Sequence, residues 1–224
     1  MNQYEFALGE ARLVPDLSGA LWWPDEATMI VADLHLEKGS SYAQRSAQFL
    51  PPYDTTATLD KLERAIRCLH PSRIIALGDS IHDPRAVERI DDGQAARVAA
   101  ITETVEWIWV AGNHDPSPPV GWGGRVEQEI TIGPLTFRHE AQIGALREIS
   151  GHYHPKARVP ARGSYVHGRC FAHDRKRAVL PAFGAYAGGL NVLDPAIATL
   201  FEPDFAVTVI GKQRLFRFAA AQLA

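Results

Sequence analysis

Three short apolar runs in this chain each end in a cluster of carboxylate, imidazole and carboxamide side chains, and that pairing restricts the fold more than any other feature. Thr28-Met29-Ile30-Val31-Ala32 leads into Asp33-Leu34-His35. Arg73-Ile74-Ile75-Ala76-Leu77 leads into Gly78-Asp79, with His82-Asp83 behind it. Trp107-Ile108-Trp109-Val110-Ala111 leads into Gly112-Asn113-His114-Asp115. A near-continuous apolar run of this length reads as a strand buried on both faces. Between the first two runs a helix is expected from about Thr55 to Leu69. Leu59, Leu62, Ala65, Ile66 and Leu69 form its apolar stripe, Asp54 is its N-cap and Pro71 its stop. A second helix, over roughly 93–106, presents Val98, Ile101 and Val105. Strand, helix, strand, helix, strand is the pattern of an α/β core.

The second half of the chain reads as strands. Arg125 to Ile132 and Leu135 to His139 form one pair around Gly133-Pro134, and further strands are expected near Ile149, Tyr165, Phe171, Val179, Val192, Val207 and Leu215. At the start, Tyr4 to Val14 alternates as a strand. With no linker or repeat, residues 1–224 read as one domain in which a second sheet packs on the first. Trp22-Trp23 and Trp107-x-Trp109 read as core aromatics, and His167 and His173 as strand-surface residues.

Size and charge narrow the class. A chain of 224 residues is long enough to bury roughly 70% of its unfolded surface. A net charge of -3 argues against a globally basic nucleic-acid coat protein. The N-terminal stretch carries Glu5 and Glu10, unlike a signal peptide. The longest uncharged run, 178–193, is interrupted by Pro181, Gly184, Gly188 and Gly189 and is shorter than the ~20 residues a membrane span needs. Two cysteines, Cys68 and Cys170, show no metal or redox spacing. The expectation is a soluble cytoplasmic protein that needs no membrane.

The ends of buried strands are where open α/β sheets bind ligands. Phe137-Arg138-His139 and Gly151-His152-Tyr153-His154 add to the polar ends already named. Carboxylate, imidazole and carboxamide together are the donor set of a borderline-hard divalent metal. In an extended backbone Asp33 and His35, or His152 and His154, would point to one face. A glycine ahead of Asp79, Asn113 and His152 would let the chain turn sharply there. Each motif alone is weak, but six of the nine histidines fall inside them.

Taken in order, Asp33-x-His35, Gly78-Asp79-x-x-His82, Gly112-Asn113-His114-Asp115, His139 and Gly151-His152-x-His154 resemble the signature of the calcineurin-like metallophosphoesterases. The resemblance implies a four-layer α-β-β-α sandwich of two mixed sheets flanked by helices, with two metals at the strand ends. It implies that Asp33, His35 and His154 hold one metal, that Asn113, His139 and His152 hold the other, and that Asp79 bridges both with a hydroxide as nucleophile. His114 then corresponds to the catalytic histidine. His82 stands where many phosphatases of the superfamily carry Asp, with Asp83 next to it. A histidine there is similar to the double-strand-break repair nucleases and favours a phosphodiester substrate. Manganese is the metal the resemblance favours, with iron or zinc compatible with the same donors.

Asp33 to Gly39, Phe49 to Thr55 and Leu180 to Leu190 further resemble the bacterial ligase-associated DNA damage response endonucleases, the PdeM family. That implies a nuclease in DNA repair beside an ATP-dependent DNA ligase and a helicase. From Lys156 to Arg177 the local charge is +6, a place for a polyanionic strand or a solvated hairpin. Lys38, Arg45, Tyr53, Lys156 and Arg158 are the candidate substrate contacts, although surface charge and loop packing explain the first three better. A phosphatase or small-nucleotide phosphodiesterase using the same metals is the alternative enzyme. A non-catalytic docking scaffold is the third reading, and it requires gaps in the ligand set.

Overall fold

The computed structural model describes residues 4–45, 53–115, 121–161 and 163–224. In chain order the strands are β1 (Phe6–Leu8), β2 (Ala11–Pro15), β3 (Leu21–Trp23), β4 (Thr28–Val31), β5 (Arg73–Leu77), β6 (Glu106–Val110), β7 (Arg125–Glu127), β8 (Glu129–Ile132), β9 (Leu135–Arg138), β10 (Glu148–Ser150), β11 (Lys156–Ala161), β12 (Ser164–His173), β13 (Arg177–Val179), β14 (Ala206–Ile210) and β15 (Leu215–Ala219). The helices are α1 (Lys38–Arg45), α2 (Asp54–Leu69), α3 (Ala86–Arg89), α4 (Asp92–Thr104) and α5 (Pro195–Ala198).

Two mixed sheets result. The first runs β1-β2-β3-β4-β5-β6-β7, antiparallel as far as β4 and parallel from β4 to β7. The second runs β15-β14-β12-β13-β10-β9-β8, with β11 paired to β12 off that path. The three apolar runs are β4, β5 and β6, side by side at the centre of the first sheet. Their alternate residues serve two cores. Ile30, Ile75, Leu77 and Ile108 face the second sheet, meeting Leu135, Phe137, Ile149 and Phe171. Met29, Val31, Ile74, Trp107 and Trp109 face Leu59 and Leu62 of α2 and Val98 and Ile101 of α4. Burial on both sides is why these strands carry no polar alternation. Each fully buried side chain of this size stabilises the fold by about 1.5–3 kcal/mol.

The fourth layer is thin. Against the outer face of the second sheet lie Ile197 of the one-turn α5 and the nearby Val192, Phe201 and Phe205. The architecture is therefore the expected sandwich, with its last helical layer reduced to one turn and a loop.

Several local expectations change. Tyr4 to Val14 is a hairpin, because Gly9, at φ 63°, turns the chain between β1 and β2. Arg125 to Ile132 is divided at Gln128, and β7 belongs to the first sheet while β8 belongs to the second. Val192 lies in a turn and contributes a buried side chain instead of a strand. Helix α2 ends at His70, whose left-handed backbone (φ 49°) returns its N–H to Ile66, one residue ahead of Pro71. Asp54 is the first residue of α2, and its carboxylate accepts the Gly39 N–H of α1 at 2.9 Å. His173 is buried, stacked on Phe6 with centroids 4.0 Å apart. Among the described residues no helix is long and apolar enough to cross a membrane.

Candidate metal centre

The polar motifs converge beyond the ends of β4, β5, β6, β9 and β10. Asp33, His35 and His154 form one group, and Asp79, His139 and His152 a second, each with its donor atoms within 4.8 Å of one another. In the first, His35 Nε2 lies 3.2 Å from His154 Nε2, and His154 Nε2 lies 3.4 Å from Asp33 Oδ1. In the second, His152 Nδ1 lies 3.1 Å from His139 Nε2, which lies 3.5 Å from Asp79 Oδ1. The groups are neighbours: His139 Nδ1 is 3.9 Å from Asp33 Oδ1, and the His152 N–H donates to the Asp33 carboxylate. The Asn113 amide nitrogen stands 3.4 Å from His152 Nδ1, at the exposed side of the second group.

The backbone brings these side chains together in a way the spacing does not suggest. Asp33, His35, Asp79, His152 and His154 all adopt positive φ, between 44° and 70°. The ligand residues themselves are left-handed rather than extended, and of the three glycines that precede ligand motifs only Gly78 has positive φ. Such conformations cost about 1–3 kcal/mol each and persist where surrounding contacts over-determine them. Here those contacts are hydrogen bonds that continue the parallel pairing past β4 and β5. Asp33 N–H donates to Gly78 O, His35 N–H to Asp79 O and Leu36 N–H to Ser80 O.

A strap over 180–184 adds the rest. Leu180 N–H donates to Ser150 O, Phe183 N–H to Ala32 O and Gly184 N–H to Asp33 O, so one segment holds the loops after β4 and β10. Its own carbonyls take two cations: Arg169 Nη1 donates to Ala182 O at 2.9 Å, and Lys61 of α2 donates to Phe183 O. Burial, with Arg169 and Arg64 nearby, lowers the Lys61 ammonium to about 7.

The donors suit a divalent cation. Burial, then the neighbouring His154 and Lys38, lowers His35 to about 2, which keeps its ring neutral with a lone pair free. Asp33 is fully buried, yet no cationic Lys or Arg pairs with it among the described residues. His139 Nδ1 contacts Leu77 O at 2.8 Å, which as a donated N–H leaves the Nε2 lone pair free for a cation. Imidazole and carboxylate without thiolate are the donors of manganese, iron or zinc.

A family model for calcineurin-like phosphoesterases matches residues 27–179, most of the chain. The chain belongs to that family. Among solved structures, the Pseudomonas putida nuclease MPE is 26% identical, with a TM-score of 0.74, covering 97% of this chain and 100% of that one. The E. coli phosphoesterase YfcE is 13% identical, with a TM-score of 0.43, covering 86% of this chain and 98% of that one. No curated protein sequence matches.

Around the ligand groups of this calcineurin-like phosphoesterase, the other singled-out residues separate. His114 stands at the mouth, its side chain half-exposed. Its backbone N–H donates to Asp79 Oδ1 at 3.0 Å, and its Nε2 lies 3.8 Å from Asp79 Oδ2. His82 stacks on it, centroids 5.6 Å apart and 17° from parallel. Asp83 is engaged elsewhere. Both its oxygens accept from the Arg89 guanidinium, at 3.1 and 2.9 Å, and tie the turn after His82 to α3. Against the upward push of burial, the hydrogen bonds from Arg89 and Ser41 hold its carboxyl at about 2. Lys38 begins α1 beside the first group. Burial lowers its ammonium most, and nearby Lys156 lowers it further against Asp54. Tyr53 lies exposed at the head of α2. The side chain of Arg45, residues 49–52 of the second resemblance motif, and Arg162 lie outside the described residues.

The basic stretch is mostly spoken for. Arg169 points inward to Ala182 O, Arg177 is buried against Glu148 at 3.5 Å, Lys176 pairs with Glu202, and Arg175 reaches Asp204 at 3.7 Å. Among the described residues Lys156 and Arg158 remain, so the +6 read from sequence overstates the free charge.

Two supports of the site were missed. Asp115, the last residue of the third motif, accepts the N–H groups of Ser80 (2.6 Å) and Ile81 (3.1 Å) and so fixes the loop after Asp79. Burial pushes its carboxyl up to about 7 against those two donors. Its place beside His114 was the available signal. For Lys61, one polar residue among many on α2, there was none.

Proposed function

We propose that this protein is a dinuclear metal-dependent phosphodiesterase, a cytoplasmic nuclease acting in DNA repair. The observation that carries the reading is the pair of three-residue donor groups set side by side, with His114 at their mouth. When bound, two divalent ions, with manganese the first choice, neutralise phosphate charge and activate water for in-line attack. The chain's own residues do the rest. Asp33, His35 and His154 hold one ion, Asn113, His139 and His152 the other, and Asp79 both.

His114, fixed through its backbone on Asp79 and through its ring on His82, gives a proton to the leaving oxygen. Lys38 and Lys156, beside the His35–His154 group, take the non-bridging phosphate oxygens. The complete donor set supports an enzyme over a docking scaffold. The nuclease reading also draws on the similarity to the P. putida nuclease MPE. Repair partners, a DNA ligase and a helicase, follow from the sequence resemblance.

The test is hydrolysis of bis-p-nitrophenyl phosphate against p-nitrophenyl phosphate with Mn²⁺. Diester preference is expected, and His114→Ala should lower kcat by about 10²–10⁴ while leaving Mn²⁺ bound. A monoester preference would move the reading to a phosphatase. A fully active His114→Ala protein would end the proposed mechanism.

A further inference from the structure

The β11–β12 hairpin begins two residues after His154 of the first donor group. Only Cys170 to His173 of β12 pair with β14, which leaves Ser164 to Arg169 bonded to β11 alone. Lys156, the first residue of β11, comes two residues after His154, and its stem passes the segment at Gly189 that lies against His154 O. The hairpin is thus an arm rooted in the ligand loop.

Residues directly opposed across a pair of strands share a face. The register pairs Lys156 with Arg169, Arg158 with His167 and Pro160 with Tyr165 on one face, and Ala157 with Gly168 and Val159 with Val166 on the other. Ala157 and Val159 are buried in the core of the outer layer, so the first face is the one turned away from it. That face carries Lys156 and Arg158, neither with an ion-pair partner among the described residues, and the exposed His167. The sequence 156–169 contains no acidic residue. The Arg158 guanidinium lies 3.6 Å over the ring of Tyr165, which is 48% exposed.

We propose that this face is an extended docking surface for a nucleic-acid strand, engaging nucleotides beyond the one that reacts. The inference rests on the phosphodiesterase reading for what lies at the root of the arm. Cations give a strand its sequence-independent affinity, and a planar Arg–aromatic pair gives a base something to stack on. An acidic peptide would use the first feature and leave the second without a counterpart. Side chains two residues apart on one strand are about 6.6 Å apart. From Lys156 to the Pro160–Tyr165 pair the arm therefore covers roughly 13 Å, or about four nucleotides at ~3.4 Å per step.

The experiment measures binding of a labelled DNA oligonucleotide roughly 20 nucleotides long to the Mn²⁺-loaded protein over a salt series. Wild type is compared with Arg158→Ala and Tyr165→Ala, and hydrolysis of bis-p-nitrophenyl phosphate is followed in parallel. Arg158→Ala should make the slope of log K against log salt shallower by about 0.7, and Tyr165→Ala should weaken binding about tenfold with little change of slope. The ratio of oligonucleotide to small-diester kcat/KM should fall about tenfold in both. Affinity and slope equal to wild type in both variants overturn the proposal, as does a wild type that does not bind the oligonucleotide. A wild type that binds it through the arm yet hydrolyses no diester overturns the phosphodiesterase reading and leaves the arm standing.

Discussion

Gly184→Ala tests how the ligand loops are held, because it adds one methyl group where the strap crosses the loop after β4. An added Cβ would lie 3.0 Å from the Leu34 carbonyl carbon and 3.1 Å from Asp33 O, and nearer still to the Leu34 carbonyl oxygen. These are backbone atoms and cannot rotate away. The Gly184 N–H also donates to Asp33 O at 3.0 Å, so the strap cannot lift without losing that bond. Relief requires the Asp33–His35 backbone to shift by on the order of 1 Å, a displacement that commonly costs about 10²-fold in rate. Overpacking of this kind lowers stability by about 1–3 kcal/mol. Supports of metal ligands typically contribute 10–100-fold in affinity.

Four residues on, Gly188 has no atom within 4 Å of its would-be Cβ, so Gly188→Ala is the matched control. Mn²⁺ titration calorimetry and bis-p-nitrophenyl phosphate turnover read both variants. Gly184→Ala should bind Mn²⁺ at least tenfold more weakly and lose most turnover, with Gly188→Ala unchanged. If the two variants behave alike, the strap does not position Asp33 and His35, and the reasoning fails.

Two further outcomes follow from the same geometry. Asp79→Asn removes the carboxylate proposed to hold both ions, so the rise in melting temperature that Mn²⁺ gives wild type, worth about 2.7 kcal/mol at a hundredfold excess over Kd, should disappear; a variant stabilised as much as wild type contradicts the bridging role. Lys61 keeps its proton up to about 10.5 in the unfolded chain but only to about 7 in the fold, so the unfolded state binds more protons between those values and stability rises with pH across that window. Lys61→Met removes the group, and its stability relative to wild type in urea melts should fall by about 3 kcal/mol from pH 7 to 9.5. Parallel pH profiles would show that Lys61 stays charged in the fold.

What sequence made legible was chemistry placed at the ends of apolar runs. Residue types such as Asp33, His35, Asp79 and His139 report their donors directly, and β4, β5 and β6 report their burial on both faces through the absence of polar alternation. What it hid were choices that tertiary contacts make. Nothing in the letters of Asp33 or His154 demands a left-handed backbone; the pairing beyond β4 and β5 and the strap impose it. Arg169 reads as a free cation until the fold supplies Ala182 O, and Asp83 reads as a site carboxylate until α3 brings Arg89. His173 reads as a surface residue until Phe6 covers it. Helix α1 is short and largely polar, without the apolar stripe that exposed α2.

The break at Gln128 bears on how this sandwich stays separate from its neighbours. β7 closes one end of the first sheet and β8 one end of the second, and both are made from a single stretch of chain that changes sheet after three residues. Unpaired peptide groups along a long straight border are a template for strands of other molecules, and short, bent borders remove that template. On this side the protein offers rungs for only three residues before the direction changes and four after it. Strand recruitment, whether by a partner or in aggregation, is thereby steered to the longer borders of the second sheet, β15 with five residues and β11 with six.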